Sequence, residues 1–154
     1  MPTERPLTPQ EREELNELFV LALELVPLPE GLEDLDGAQP AVLVSGVREL
    51  VDAIREGQGP TDLESDDLAT WLGALWGDEL CRVADWEWVH LTFDNGLGAL
   101  AVVSRDRAFA CLPLHFLYGL LSTPAFDNTI ALLFNMVAGG HLPASEPGCY
   151  VLLG

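Results

Sequence analysis

The groups able to do chemistry in this 154-residue chain are three histidines, three cysteines and a large surplus of carboxylates. Cys111 and His115 stand four residues apart, with Asp127 further on. These are the residue types of a nucleophile, its base and an orienting carboxylate. Pro113 breaks the segment between the first two, and nothing in the sequence activates the thiol. His90, His115 and His141 with a cysteine are zinc-ligand types, but structural zinc is usually held by two close-spaced ligand pairs and the chain has one. Cys81, Cys111 and Cys149 are widely spaced, odd in number and contain no CxxC pair. They read as free thiols buried in a reducing compartment. Asp34-Leu35-Asp36-Gly37 matches only a fragment of a calcium loop, so the stretch from Pro27 to Gln39 reads as a solvated linker. The sequence contains no nucleophile elbow, phosphate loop, dinucleotide fingerprint or zincin helix. No catalytic residue, metal ligand or cofactor is therefore assigned, and the chain is expected to bind and not to catalyse.

Two groups of residues stand out as binding candidates. Asp62, Glu64, Asp66 and Asp67 crowd the start of a helical segment, where the helix dipole also favours negative charge. They belong to a lopsided distribution. The formal net charge is −18 and all seven basic residues are Arg. Residues 1–87 hold 21 acids against five Arg, a net −16, whereas residues 88–154 carry only −2. Such a charge repels nucleic acid and anionic membranes and favours a basic protein partner. The second group is Trp86, Trp88 and His90, whose alternate spacing puts them on one strand face, as the wall of a ligand pocket or of an interface. Core packing is the commoner use of Trp at such spacings.

The elements that must position these groups follow from the apolar period. Thr8, Pro9 and Glu11 open a helix with a capping box, and Leu15, Leu18, Phe19, Ala22 and Val26 form its apolar stripe. A second helix spans about Pro40 to Glu56 and closes at Gly57. A third begins near Thr61 or Ser65, with Thr61 and Glu64 as a capping box, and reaches about Val83. Inside it Gly73 and Gly77, four apart, predict the close approach of another backbone. Glu79 falls beside the apolar stripe, where it is either a buried carboxylate paired with Arg82 or rotated toward water, the second being the expectation. Near Trp86 the period changes from 3.6 to 2. Asn95-Gly96 marks a hairpin, and a two-residue turn there pairs Leu91 with Leu100 and Val89 with Val102. A further turn at Arg105-Asp106 returns Phe109 and Cys111 beside Val102 and Leu100. This register gathers Val89, Leu91, Phe93, Leu100, Val102 and Phe109 on one buried face. It leaves Trp86, Trp88 and His90 with Ala99, Ala101, Val103, Ala108, Ala110 and Leu112 on a second face, too apolar for solvent. A helix of the same chain or a partner should cover it. Leu114 to Leu121 reads as a short helix. A helix apolar nearly all round starts after Thr123, with Pro124 at its first position, and ends at Gly139-Gly140. Cys149 to Leu153 can add a strand. The uncharged run from Ala108 to Phe126 is interrupted by Pro113, His115 and Pro124, so it reads as strand and short helix and not as a membrane span.

The expected fold is one α+β domain over residues 1–154. N-terminal helices of an acidic half (1–85) pack on an antiparallel β-meander in a near-neutral half (86–154), with a later apolar helix and a possible C-terminal strand. Residues 72–114, with Leu72-Gly73 and Gly77 on a helix, Trp88-Val89 opening a strand and Leu112-Pro113-Leu114 ending the meander, resemble an uncharacterised bacterial domain-of-unknown-function family of small α+β proteins. The resemblance implies the helix-then-meander order and carries no catalytic residues. Met1 to Thr8 has acids and prolines where a signal peptide is apolar, which points to a cytoplasmic protein. Three functions fit this reading. The first is an acidic protein-binding module, such as an immunity or antitoxin-like protein masking a basic toxin. The second is a small-ligand protein or enzyme with a pocket near Trp86, Trp88 and His90. The third is a self-associating protein, a homodimer formed through the apolar C-terminal half. The acid excess favours the first.

Overall fold

A computed structural model describes residues 2–27, 40–60, 62–123 and 125–153. In chain order these form β1 (Thr3–Pro6), α1 (Pro9–Leu25), α2 (Pro40–Arg55), α3 (Ser65–Ala84), β2 (Glu87–Thr92), β3 (Gly98–Val103), β4 (Phe109–Cys111), α4 (Pro113–Ser122), α5 (Ile130–Gly139) and β5 (Val151–Leu153). The fold is α+β, as the change of period requires. The strands make one sheet in the order β1-β2-β3-β4-β5, antiparallel from β1 to β4, with β5 added parallel to β4. No helix among the described residues is long and apolar enough to cross a membrane. The calcium-loop fragment at residues 34–37, the Thr61 capping box and Pro124 lie outside the described residues.

Local chemistry accounts for the helix ends. Thr8 accepts from the Glu11 backbone N–H at 3.1 Å while the Glu11 carboxylate accepts from the Thr8 N–H at 2.9 Å, the reciprocal bonds of a capping box. Gly57 follows α2 with φ of +79°, a conformation that costs glycine nothing. The backbone approach expected at Gly73 and Gly77 is present at Gly73, whereas Gly77 is approached by side chains. A methyl group on Gly73 would meet the Leu114 Cα at 2.8 Å and the Pro113 carbonyl at 2.9 Å, and one on Gly77 would meet the Pro113 ring at 2.7 Å. Gly73 lets the start of α4 cross α3 at backbone contact, and Gly77 makes room for the Trp88 indole and the Pro113 ring. The later apolar helix begins at Ile130, several residues after the expected start, and residues 125–129 before it form a loop.

The hairpin register differs from the expected one by a residue. His90 pairs with Leu100, Val89 with Ala101 and Trp88 with Val102. The Phe93 N–H donates to the Leu97 carbonyl at 2.8 Å and the Gly96 N–H to the Phe93 carbonyl at 2.9 Å. The connection is thus a three-residue loop, Asp94-Asn95-Gly96, with Gly96 at φ of +84° as its left-handed member. A one-residue slip exchanges the two faces of one strand relative to its neighbour. Val89 and Leu91 therefore share a face with Ala101, Val103 and Ala110, and Trp88 shares the other with Leu100, Val102 and Cys111. The grouping of Trp86, Trp88 and His90 with the alanines is overturned, as is that of Val89 and Leu91 with Leu100 and Val102. Cys111 pairs with Val102, a second shift, because the loop after Ser104 is four residues long.

The face bearing Trp88, Val102 and Cys111 packs against the helices. On the alanine-lined face, Phe93, Leu112 and Tyr150 pack against the buried residues. In a flat sheet β1 and β5 would stand about 19 Å apart, four strand spacings. Yet the Tyr150 hydroxyl donates to Glu4 Oε1 at 2.5 Å, and Arg107 grips the same carboxylate at 2.7 and 3.1 Å while also bonding Glu87. The sheet curls enough for side chains near its two edges to join, and Ala101 and Ala110 take little room on the inner face of the curl. Val89, Leu91, Ala101, Val103 and Ala110 are buried inside it with Tyr150 packed against them. Arg107 (φ +60°) and Tyr150 (φ +47°) both hold left-handed backbone, a strain of about 1 kcal/mol each, where they reach Glu4.

Candidate functional site

Asp62, Glu64, Asp66 and Asp67 are all exposed around the first turn of α3. Glu64 is the N-cap residue but its side chain makes no capping bond. None of the ion pairs found among the described residues involves these four acids. Their charge is presented to solvent next to the positive end of the α3 dipole.

Trp86, Trp88 and His90 point from the same side of β2 but enter three separate surroundings. Trp86 stacks on Phe109, with centroids 6.5 Å apart and planes 3° from parallel, at the edge of a shallow groove beside Leu142. Trp88 lies over Gly77, whose missing side chain makes space for the indole, and walls a hollow of about 210 Å³ with Arg12, Asn16 and Asp78. Burial pushes the Asp78 carboxyl up, against the pull of Arg82. His90 rests against Gly98, and its Nδ1 is buried without a hydrogen-bond partner. Among the described residues, Trp86 and Trp88 line different hollows. The hollow at Trp88 is smaller than the roughly 300–1,000 Å³ of usual ligand sites.

The Cys111–His115–Asp127 set is also taken apart. Cys111 is in the core between sheet and helices, where burial raises its thiol far above the range of a reactive cysteine. Burial likewise pushes Cys81 up to about 12, with the Asp78 and Glu87 charges adding to it. Among the described residues no three His, Cys, Asp or Glu side chains are grouped to hold a metal ion. Glu79, expected to face water, is fully buried, and both its oxygens accept from Arg82 Nη1 at 2.9 and 3.0 Å. Burial raises this carboxyl to about 7, although the Arg82 charge opposes the rise. The reversal has a tertiary cause: neighbouring elements cover the flank of α3 that the helical pattern alone leaves at the margin.

His115 and Asp127 do come together, in a feature the sequence reading missed. They line a groove of about 560 Å³ between α4 and residues 125–129, with Phe116 and Phe126 as apolar walls and Gly119 on the helix beneath. Phe126 is 55% exposed. The loop is tied to α2: Arg55 Nη2 donates to the Phe126 carbonyl at 2.6 Å, and Asn128 Nδ2 donates to Asp52 Oδ1 at 2.8 Å and to the Arg48 carbonyl at 3.1 Å. The groove is mainly apolar, with His115 and Asp127 among the residues that line it. Its available signals were a glycine inside an apolar helix and an aromatic residue in a loop.

No family model, curated protein or solved structure matches the chain.

Proposed function

We propose that this chain is an acidic protein-binding module that engages a basic protein partner, in the manner of an immunity or antitoxin-like protein that masks a basic toxin. One observation carries the reading: the acid excess is not neutralised within the fold. Arg5 pairs with Glu11, Arg82 with Glu79, Arg105 with Asp85, and Arg107 with Glu4 and Glu87. Most of the few cations are thus engaged with carboxylates elsewhere, while Asp62, Glu64, Asp66 and Asp67 stay exposed. A surface of this kind steers a basic partner by long-range attraction, raising the association rate in a salt-dependent way. Of the three thiols expected to be buried only Cys111 is, Cys81 being half-buried and Cys149 exposed, and free thiols suit work in a reducing compartment such as the cytoplasm.

The test is affinity capture from the source organism, at low and high salt, with the wild type and with Asp62→Asn, Glu64→Gln, Asp66→Asn, Asp67→Asn combined. The wild type should retain a basic protein that salt releases and the fourfold variant loses. Recovery of the same proteins with unchanged salt sensitivity would show that these acids are not the binding surface.

A further inference from the structure

We infer that the hollow between α1, α3 and β2 binds a small zwitterion with an apolar body, a free amino acid of leucine size. Three elements build it. Arg12 stands three residues before Leu15 and four before Asn16, so the three share a flank of α1. Ala74 and Asp78 stand four apart on α3, and Trp88 comes from β2. Leu15 and Ala74 are buried, with Trp88 packed against them, and give the hollow an apolar wall. Its volume of about 210 Å³ is roughly seven times the share of one water molecule in the liquid. That admits a molecule of amino-acid size and excludes a drug-sized one.

The charges of the hollow select its ligand. Arg12 and Asp78 are the charged residues among those that line it, and none of the ion pairs found among the described residues includes either. Arg82, whose charge reaches Asp78, bonds Glu79. The Asp78 carboxylate is half-buried, and burial disfavours its charged form, so an ammonium group beside it would offset the lost solvation. The exposed Arg12 guanidinium offers paired donors to a carboxylate, and the exposed Asn16 amide can add a hydrogen bond. A ligand with a carboxylate alone would leave Asp78 unmatched and be repelled by the net charge of −18. One with an ammonium alone would leave Arg12 unmatched. A zwitterion answers both groups and carries no net charge. The inference stands apart from the acids that open α3, none of which lines the hollow.

The experiment is isothermal titration calorimetry near neutral pH with L-leucine, glycine, isocaproate and isoamylamine. Glycine lacks the apolar body. Isocaproate is leucine without its ammonium, and isoamylamine is leucine without its carboxylate. The wild type should bind leucine about tenfold or more tightly than each of the other three. Arg12→Gln should bring leucine down to the affinity of isoamylamine and leave isoamylamine no weaker. Asp78→Asn should bring leucine down to the affinity of isocaproate and leave isocaproate no weaker. Circular dichroism checks that both variants fold. Arg12 is exposed on its helix, so its variant decides the matter alone if Asp78→Asn fails to fold. Absence of leucine binding by the wild type at about 10 mM overturns the inference. So does glycine, isocaproate or isoamylamine binding as tightly as leucine, or a preference for leucine that Arg12→Gln keeps.

Discussion

Changing Glu79 to Gln should make the protein more stable at alkaline pH, although it removes an ion pair. The carboxyl is fully buried, its partner Arg82 keeps about a third of its side-chain surface in water, and burial outweighs that partner so that the group titrates near 7. In the unfolded chain it titrates near the ordinary value of 4.5. Between these two values the folded state holds a proton that the unfolded state has lost. This group's contribution to stability is therefore full below about 4.5, falls as pH rises toward 7 and stays lost above it. A shift of that size corresponds to at most about 3 kcal/mol. Charge-assisted bonds to Arg82 that Gln replaces with weaker ones reduce the net gain, and about 1–2 kcal/mol at pH 8 is expected. Urea unfolding of both proteins between pH 5 and pH 8, followed by tryptophan fluorescence, reads the difference. The variant should match the wild type near pH 5 and exceed it at pH 8. A difference independent of pH, or a wild type that gains on the variant as pH rises, would show that Arg82 holds Glu79 ionised and that the burial argument is wrong.

The clasp that closes the sheet should be measurable in a double-mutant cycle: Glu4→Gln and Arg107→Ala should each cost about 1–2 kcal/mol and couple strongly. Because Arg107 and the Tyr150 hydroxyl hold Glu4 below its ordinary range, the clasp's contribution is present above about pH 4.5 and should vanish as acid protonates Glu4, seen as convergence of variant and wild-type melting curves at low pH. Gly73→Ala should destabilise by about 1–3 kcal/mol in chemical denaturation despite alanine's better helix propensity, since the new methyl meets the Leu114 and Pro113 backbone. Gly96→Ala should cost about 1 kcal/mol for a different reason: nothing lies within 4 Å, but φ of +84° strains any residue with a side chain.

Much of the fold was legible because its signals are local. The Thr8–Glu11 capping box, the glycine after α2, the change of period near Trp86 and the paired glycines of α3 each describe interactions within a few residues or a contact with a distinctive requirement. The register was not legible, because Asn95-Gly96 marks a turn but not its length, and two- and three-residue loops differ by the one step that exchanges strand faces. Strand β1 escaped because four exposed residues, Thr3 to Pro6, have no apolar alternation and form a strand only by pairing with β2. The candidate site was least visible. The alanine-lined face looked unpartnered along the chain, and in the fold Phe93, Leu112 and Tyr150 pack against it. The groove at Phe126 is assembled from α4 and a loop pinned to α2, and no spacing along the chain records that meeting. Glu79 was misplaced because its burial depends on neighbours from other elements.

The central claim, that exposed acids at the start of α3 recruit a basic partner, is tested most directly by association kinetics. The protein captured from the source organism is flowed over immobilised wild type and over the variant with Asp62, Glu64, Asp66 and Asp67 neutralised, from low to high ionic strength. The account predicts an association rate that falls steeply with salt for the wild type, a slower and much flatter dependence for the variant, and dissociation rates little changed between them. Equal association rates with equal salt dependence, or a captured partner that carries no basic surface, would contradict it.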